Sequence, residues 1–91
     1  MKATLIHQFK QAYRRGRREG VRWKVPEPVP PTQHGYKYRL VYVVDGARIV
    51  GYDNERGKGD HRHIGGRETA YRFVDVPTLL KDFIKDVEQA K

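Results

Sequence analysis

The sequence predicts an α+β fold, in which a small antiparallel sheet of about four to five strands packs against a C-terminal α-helix. Apolar and polar residues alternate with a period of two through Tyr36–Val44, which is typical of a half-buried strand. The Asp45-Gly46 pair that follows is a strong signal for a two-residue hairpin turn. From Val76 onward the apolar residues recur with helical spacing instead.

The hairpin joins Tyr36–Val44 to a returning strand at Ala47–Tyr52. An Asp-Gly turn accommodates positive φ at both of its positions, which favours a type I′ turn and a regular register. In that register Val44 faces Ala47, Tyr42 faces Ile49 and Arg39 faces Tyr52. One face of the hairpin then carries an apolar stripe, and the other carries Arg39, Arg48, Val50 and Tyr52.

The last predicted element is a helix from about Val76 to Ala90. Asp75 is a favourable N-cap residue, and Pro77 is tolerated in the first turn. A short strand at Tyr71–Val74 is expected just before the helix. The apolar residues form a single stripe that we expect to pack on the sheet: Val76, Leu79, Leu80, Phe83, Ile84 and Val87.

The first 25 residues admit two interpretations. The spacing of Leu5, Phe9 and Tyr13 is compatible with a helix. The alternative is a hairpin with strands at Thr4–Tyr13 and Val21–Val25, joined by a turn near Arg14–Gly20. We prefer the hairpin, because it gives the small sheet more strands to pair with. A stiff, proline-rich connector at residues 26–31 follows.

Composition limits the class of protein. The chain has 91 residues, a formal net charge of +8 and no cysteine. This length predicts a single domain over residues 1–91. Disulfides, thiolate zinc sites and a cysteine nucleophile are excluded. No apolar run approaches the ~20 residues of a membrane span and no signal peptide is evident, so we expect a cytoplasmic protein with no membrane partner.

The basic excess lies in the first half of the chain and favours nucleic acid or an acidic protein as a partner. A dense block of arginines near the predicted first turn is a candidate phosphate-binding surface, although a solvated basic turn fits the same pattern. The candidate nucleic-acid-binding residues are Arg14, Arg15, Arg17, Arg18, Arg39 and Arg62.

The segment Gly51–Arg67 is rich in glycine and in ionisable side chains, and we interpret it as a loop held between strands. His61 and His63 point the same way on an extended segment and can serve as general base and general acid toward RNA. Basic side chains can stabilise the charge that develops on phosphate, and a tyrosine can stack on a base. The candidate catalytic residues are His61, His63, Lys58, Arg56 and Tyr52.

Two other interpretations of this segment remain open. His61 and His63 with Asp53 or Asp60 can hold a divalent ion, but the pattern is weak and the neighbouring cations oppose a metal. Alternatively, the charges pair with one another on the surface. We predict no metal site and no cofactor.

Three stretches of the chain resemble the TumE family of small toxins from prokaryotic type II toxin–antitoxin modules. They are His34–Arg39, the long run Val50–His63 that contains GYDNERGKGDHRH, and Trp23–Pro30; the ending Phe73–Val87 fits as well. The resemblance covers essentially the whole chain. Its departure lies in the first 20 residues, where the family tends to have an acidic or mixed turn and this chain has Arg14-Arg15-Gly16-Arg17-Arg18.

The resemblance implies a growth-inhibiting toxin that a cognate protein antitoxin, typically a DNA-binding one, neutralises. It implies no catalytic residues. Metal-independent ribonuclease activity is therefore a hypothesis drawn from the histidine-rich segment, the charge and the toxin context. The alternatives are a non-enzymatic module that binds nucleic acid or the antitoxin, and a structural subunit of a complex. A homodimer formed through an open sheet edge is also compatible with so small a domain.

Overall fold

Six antiparallel strands and a C-terminal helix make up the structure, a computed structural model that describes residues 3–90. The α+β architecture is as predicted, but the strand count is six rather than four to five. Lys2, part of the basic N-terminal segment, and Lys91 lie outside the described residues. The elements are β1 (Thr4–Tyr13), β2 (Gly16–Lys24), β3 (Tyr36–Val44), β4 (Ala47–Glu55), β5 (Gly59–Ile64), β6 (Arg67–Ala70) and α1 (Val76–Gln89).

The first two strands form the hairpin that we preferred over a helix. Its turn is much tighter than the predicted Arg14–Gly20, because β2 already begins at Gly16 and only Arg14-Arg15 separates the strands. Arg14 adopts a left-handed φ of 52° there. Gly20 lies inside β2 instead, where a Cβ atom would come within 2.4 Å of the Phe9 ring. This glycine therefore marks a close packing contact and not a turn.

The register of the β3–β4 hairpin contains a β-bulge that the sequence pattern did not reveal. The Asp45-Gly46 turn and the Val44–Ala47 pair are as predicted. Beyond them the register shifts, so that Tyr42 pairs with Val50 rather than with Ile49. Arg39 correspondingly pairs with Asp53 rather than with Tyr52. Ile49 is the extra residue on β4.

The bulge reverses the face on which each following β4 side chain lies, because alternate residues of a strand point to opposite faces. Val50 and Tyr52, which we expected on the face opposite the apolar stripe, are each 1% exposed and belong to the core. They lie beside Tyr38, Leu40 and Tyr42 of β3. Asp53 consequently lies on the other face.

The segment Gly51–Arg67 is a pair of strands with short turns and not the long loop that we predicted. β4 continues to Glu55, and β5 returns from Gly59 after a turn in which Gly57 has a φ of 87°. A second turn at Gly65-Gly66 leads into β6. The strand predicted at Tyr71–Val74 is also wrong, since the last strand ends at Ala70 and residues 71–75 are irregular.

Helix α1 closes the core over β3 and β4. Asp75 is its N-cap, as predicted, and its side chain accepts a hydrogen bond of 2.8 Å from the Thr78 backbone N–H. Leu79, Phe83 and Val87 are buried, whereas Ile84 at the margin of the predicted stripe is 41% exposed. Within residues 3–90, no helix has the length and apolar character that a membrane crossing requires.

A partly buried carboxylate fastens the residues that follow the proline-rich connector to the sheet, and the Pro30 carbonyl of the connector accepts from the Gly57 N–H at 2.8 Å. Asp60 accepts hydrogen bonds of 2.7 Å from both the Thr32 and the Tyr38 hydroxyls, and it lies 2.8 Å from His34 Nε2. The His34 ring stacks on Phe73, with ring centroids 3.8 Å apart. The connector is therefore held against the start of β5, next to the segment that carries the histidines.

Beyond the Arg39–Asp53 pair, the Asn54 side chain makes the hydrogen bonds to β3 that the backbone of β4 does not make. A mutation of Asn54 therefore tests the observed register. This side chain is 1% exposed, accepts from the Tyr38 N–H at 3.0 Å and donates to the Tyr36 carbonyl at 2.8 Å. Asn54→Ala leaves both backbone groups without these partners, so we expect the free energy of unfolding to fall by about 2–4 kcal/mol in urea titrations. Glu55→Ala, at the exposed neighbouring position, should change it by less than about 0.5 kcal/mol. Similar losses for the two variants would contradict the register.

Candidate functional site

The pairing of β4 with β5 divides the predicted catalytic residues between the two faces of the sheet. Tyr52 pairs with Arg62 on the face that α1 covers. Asp53 pairs with His61, and Gly51 pairs with His63. Because strand side chains alternate, Asp53, His61 and His63 lie together on the opposite face, which we call the open face.

His61 is held by contacts at both ring nitrogens. Its side chain is only 5% exposed. Nδ1 lies 3.0 Å from the Gly59 carbonyl oxygen, which can only accept, so this nitrogen carries a hydrogen. Nε2 lies 2.5 Å from Asp53 Oδ1 and 3.5 Å from Glu68 Oε2. The ring is thereby oriented with Nε2 toward two carboxylates.

His63 lies beside His61, with ring centroids 5.0 Å apart in an edge-to-face arrangement. Arg48 Nη2 donates to its Nδ1 at 3.1 Å, which places the hydrogen of the neutral ring on Nε2. Nε2 is 4.0 Å from Asp53 Oδ1. Burial is the main cause of a lowered His63 pKa, and the Arg48 guanidinium is the second.

Gly51 makes the Arg48 contact with His63 possible. Arg48 lies across the backbone of β4, and a Cβ atom at position 51 would come within 2.8 Å of its Cδ. The absent side chain therefore leaves a path along which the guanidinium reaches the histidine pair.

Two further predicted catalytic residues lie at or near the β4–β5 turn. Lys58 Nζ donates to Glu68 Oε2 at 3.1 Å, and this bond raises the Lys58 pKa. Since Glu68 also lies near His61 Nε2, Lys58 is connected to the histidine cluster through a single carboxylate. Arg56 is exposed in the same turn.

Tyr52 and Arg62 instead form a polar cluster under α1. The Tyr52 hydroxyl donates to the Asp86 carboxylate of the helix, and Arg62 Nη1 lies 3.6 Å from the same group. Burial, followed by the bond to Asp86, raises the Tyr52 pKa. The Tyr71 hydroxyl makes a parallel bond of 2.6 Å to Asp82. The Tyr52 bond fastens the helix to the sheet, and the Tyr71 bond fastens it to the irregular segment that follows β6.

The predicted nucleic-acid-binding arginines do not form one patch. Arg14 donates to the Glu88 carbonyl oxygen at 3.0 Å, near the C-terminus of α1. Arg18 stacks on the Tyr13 ring at 4.3 Å on the helix side, together with Arg62 on that face. Arg17 pairs with Glu19 on the open face, where Arg39 is exposed. Arg15 is exposed in the turn.

Arg48 and Glu68 were not predicted to lie at the site, and Asp53 was named only as an alternative metal ligand. The Gly65-Gly66 turn was the available signal, since a tight hairpin there brings Glu68 opposite His63. Arg48 was predicted on the same face as Arg39, which is correct, but its contact with His63 was not foreseen. Asp53 could not be assigned to the open face, because its placement depends on the bulge at Ile49.

The separation of Tyr52 from the histidines can be tested by mutation. Tyr52→Phe removes the hydroxyl bonded to Asp86, so we expect the free energy of unfolding to fall by about 1.5–3 kcal/mol. The side-chain NMR resonances of His61 and His63 should stay unchanged, because they lie on the other face. Tyr36→Phe is the control, since that hydroxyl makes no hydrogen bond with residues 3–90. Unchanged stability, or shifted histidine resonances, would contradict the assignment.

Comparison with known proteins connects this arrangement to a family. The family model described as Toxin TumE matches residues 3–91, which is nearly the whole chain. Neither the curated proteins nor the solved structures give a match. The matched residues include both hairpins that carry the histidine cluster and the helix that packs behind them. The chain belongs to the TumE toxin family.

Proposed function

We propose that this toxin acts by cleaving RNA without a metal ion, using His61 and His63 on the open face. The toxin role follows from the family, which also implies an antitoxin partner. The observation that carries the cleavage proposal is the pair of imidazoles, 5.0 Å apart, that share Asp53 and have the Arg48 guanidinium beside them. Paired imidazoles provide a base and an acid near neutral pH.

The proposed reaction is attack of a ribose 2′-oxygen on the adjacent phosphorus. One imidazole removes the 2′-hydroxyl proton, and the other gives a proton to the departing 5′-oxygen as the P–O bond breaks. The products are a 2′,3′-cyclic phosphate and a 5′-hydroxyl, so protons and bonds balance. Gly59 orients the His61 ring and Arg48 orients the His63 ring, which leaves the two Nε2 atoms nearest Asp53.

Cations next to the pair provide the electrostatic part of the proposal. Arg48 touches His63, and Lys58 reaches Glu68 beside His61. Positive groups held near a phosphate stabilise the charge that builds up in the transition state. Arg56 in the β4–β5 turn is exposed and can contact the RNA backbone. In this proposal Tyr52 supports the site from the helix side and does not touch RNA.

RNA is proposed to dock on the open face, where Arg17 and Arg39 lie on β2 and β3. Arg15 extends this surface at the β1–β2 turn. Arg14, Arg18 and Arg62 make contacts on the helix side, and we assign them to the structure or to the antitoxin. Phosphate contacts of this kind weaken steeply as salt is added.

The burial of His61 favours a second candidate function. Its side chain is 5% exposed and both ring nitrogens have contacts, which are features of a structural histidine. In that case the open face binds RNA or the antitoxin and no bond is broken. Salt titration separates the two partners, because RNA binding falls steeply with salt and an apolar protein interface does not.

The cleavage proposal is tested with purified protein and defined RNA in excess EDTA. Wild-type protein should yield products that end in 2′,3′-cyclic phosphate. His61→Ala and His63→Ala should each lower the cleavage rate by about 10²–10⁴-fold, because each removes one proton-transfer group. His7→Ala is the matched control, since His7 is an exposed histidine on the helix-side face of β1.

Circular dichroism and urea titration must show that each histidine variant is folded. Full cleavage by both folded variants would refute this site. Growth inhibition by a wild-type protein that binds RNA but cleaves none would favour the binding function instead.

A further inference from the structure

We infer that Asp53, His61 and His63 also form a binding site for one divalent transition-metal ion of the zinc class. One ligand atom from each residue lies within 4.8 Å of the other two. The three residues come from two adjacent strands of a sheet, which limits their relative movement. From the sequence, this site was left open as an alternative, with Asp53 or Asp60 as the carboxylate, and no metal was predicted because the pattern is weak and cations lie nearby.

His61 has the arrangement of a metal ligand. Histidines that bind metals usually donate their other ring N–H to a carbonyl or carboxylate, which fixes the ring orientation. Here Nδ1 donates to the Gly59 carbonyl at 3.0 Å, and Nε2 is left to face Asp53. Asp53 Oδ1 is buried and has no hydrogen-bond partner among residues 3–90, although it lies 2.5 Å from that nitrogen. A cation shared by the two atoms satisfies both.

Of the two distances from Asp53 Oδ1 to the histidine nitrogens, one is shorter and one is longer than the distance between ligands of a tetrahedral metal site. Ligand atoms that lie about 2.0–2.2 Å from a zinc ion are about 3.3–3.6 Å from each other in a tetrahedral site. Asp53 Oδ1 is 2.5 Å from His61 Nε2 and 4.0 Å from His63 Nε2. Shifts of less than about 1 Å, within the reach of side-chain rotation, bring all three atoms to ligand positions.

The types of ligand select the metal. Two imidazoles and one carboxylate suit zinc and its neighbours in the first transition row. Magnesium prefers oxygen ligands and retains water, so it should bind poorly here.

Arg48 opposes metal binding and offers a distinctive test. Its guanidinium donates to His63 Nδ1 and carries a positive charge beside the cluster. For His63 Nε2 to bind a metal, Nδ1 must carry the hydrogen, so Arg48 has to move away. Its side chain is exposed, and solvent is available to receive it. Replacing Arg48 should therefore tighten metal binding, whereas replacing a ligand weakens it.

Metal binding also has a consequence that rests on the proposed function. An imidazole nitrogen that binds a metal holds no proton and accepts none. The metal-loaded toxin should therefore be unable to transfer protons to and from RNA, and zinc would act as an inhibitor of the site.

The metal site is tested by isothermal titration calorimetry. Zn²⁺ is titrated into tag-free protein from which metal has been removed with EDTA and the EDTA removed by dialysis. We expect one ion per chain. Asp53→Asn and His63→Ala should each weaken binding by at least about 10-fold. Arg48→Gln should strengthen binding, His7→Ala should leave it unchanged, and Mg²⁺ should give no saturable signal.

The absence of saturable zinc binding, or affinities unchanged in both ligand variants, would overturn the site. If a ligand variant fails to fold, the Arg48→Gln variant still tests the site. Zinc binding by Arg48→Gln that is unchanged or weaker than in the wild type also counts against the site. Cleavage by the zinc-loaded protein at the rate of the stripped protein would refute inhibition. Cleavage by neither form would refute the proposed function, while calorimetry still decides the metal site.

Discussion

A single extra residue on β4 determines which groups this protein buries and which it presents. The bulge at Ile49 shifts the pairing of β4 against β3 by one residue. As a result Val50 and Tyr52 point into the core, where each is 1% exposed. Asp53 points the other way and meets His61 across the β4–β5 pair. In the regular register, Asp53 would face the helix as an uncompensated carboxylate, at a large cost in desolvation.

The two faces of the sheet have different physical roles. On the helix side, tyrosine hydroxyls donate to helix carboxylates, Tyr52 to Asp86 and Tyr71 to Asp82. At the start of β5, the Asp60 carboxylate contacts Thr32, His34 and Tyr38. Each of these carboxylates accepts at least one hydrogen bond from a tyrosine hydroxyl. On the open face, Asp53 Oδ1 is buried and makes no hydrogen bond of regular geometry among the described residues, although it lies 2.5 Å from His61 Nε2. Polar groups left in that state are candidates for function.

Local patterns in the sequence were sufficient for much of the fold. The Asp45-Gly46 turn, the N-cap at Asp75 and the helical stripe through Leu79 and Phe83 each depend on interactions within a few residues, and all were predicted correctly. The errors involved contacts between strands. The bulge is set by how β4 packs against β3, and neither strand signals it alone.

The same limit applied to the candidate site. His61 and His63 were identified from their own spacing, and the structure places them side by side. Arg48 and Glu68 reach them only through the pairing of neighbouring strands, so their role was invisible in a linear segment. Reading Gly51–Arg67 as a loop concealed this pairing, because polar residues with frequent glycines are also typical of loops.

The order of the elements along the chain distinguishes the sheet from the helix that covers it. Each strand pairs with its neighbour in the chain, so the sheet forms through short closures that favour rapid folding. The helix is different, since the Tyr52–Asp86 bond spans 34 positions. The Tyr52 side chain is buried in the core with Leu79, Phe83 and Val87 of α1, so the last element of the chain anchors the strand that carries Asp53. The two sides of β4 therefore depend on different partners: the core side depends on the helix, and the open side depends on the neighbouring strand that carries His61.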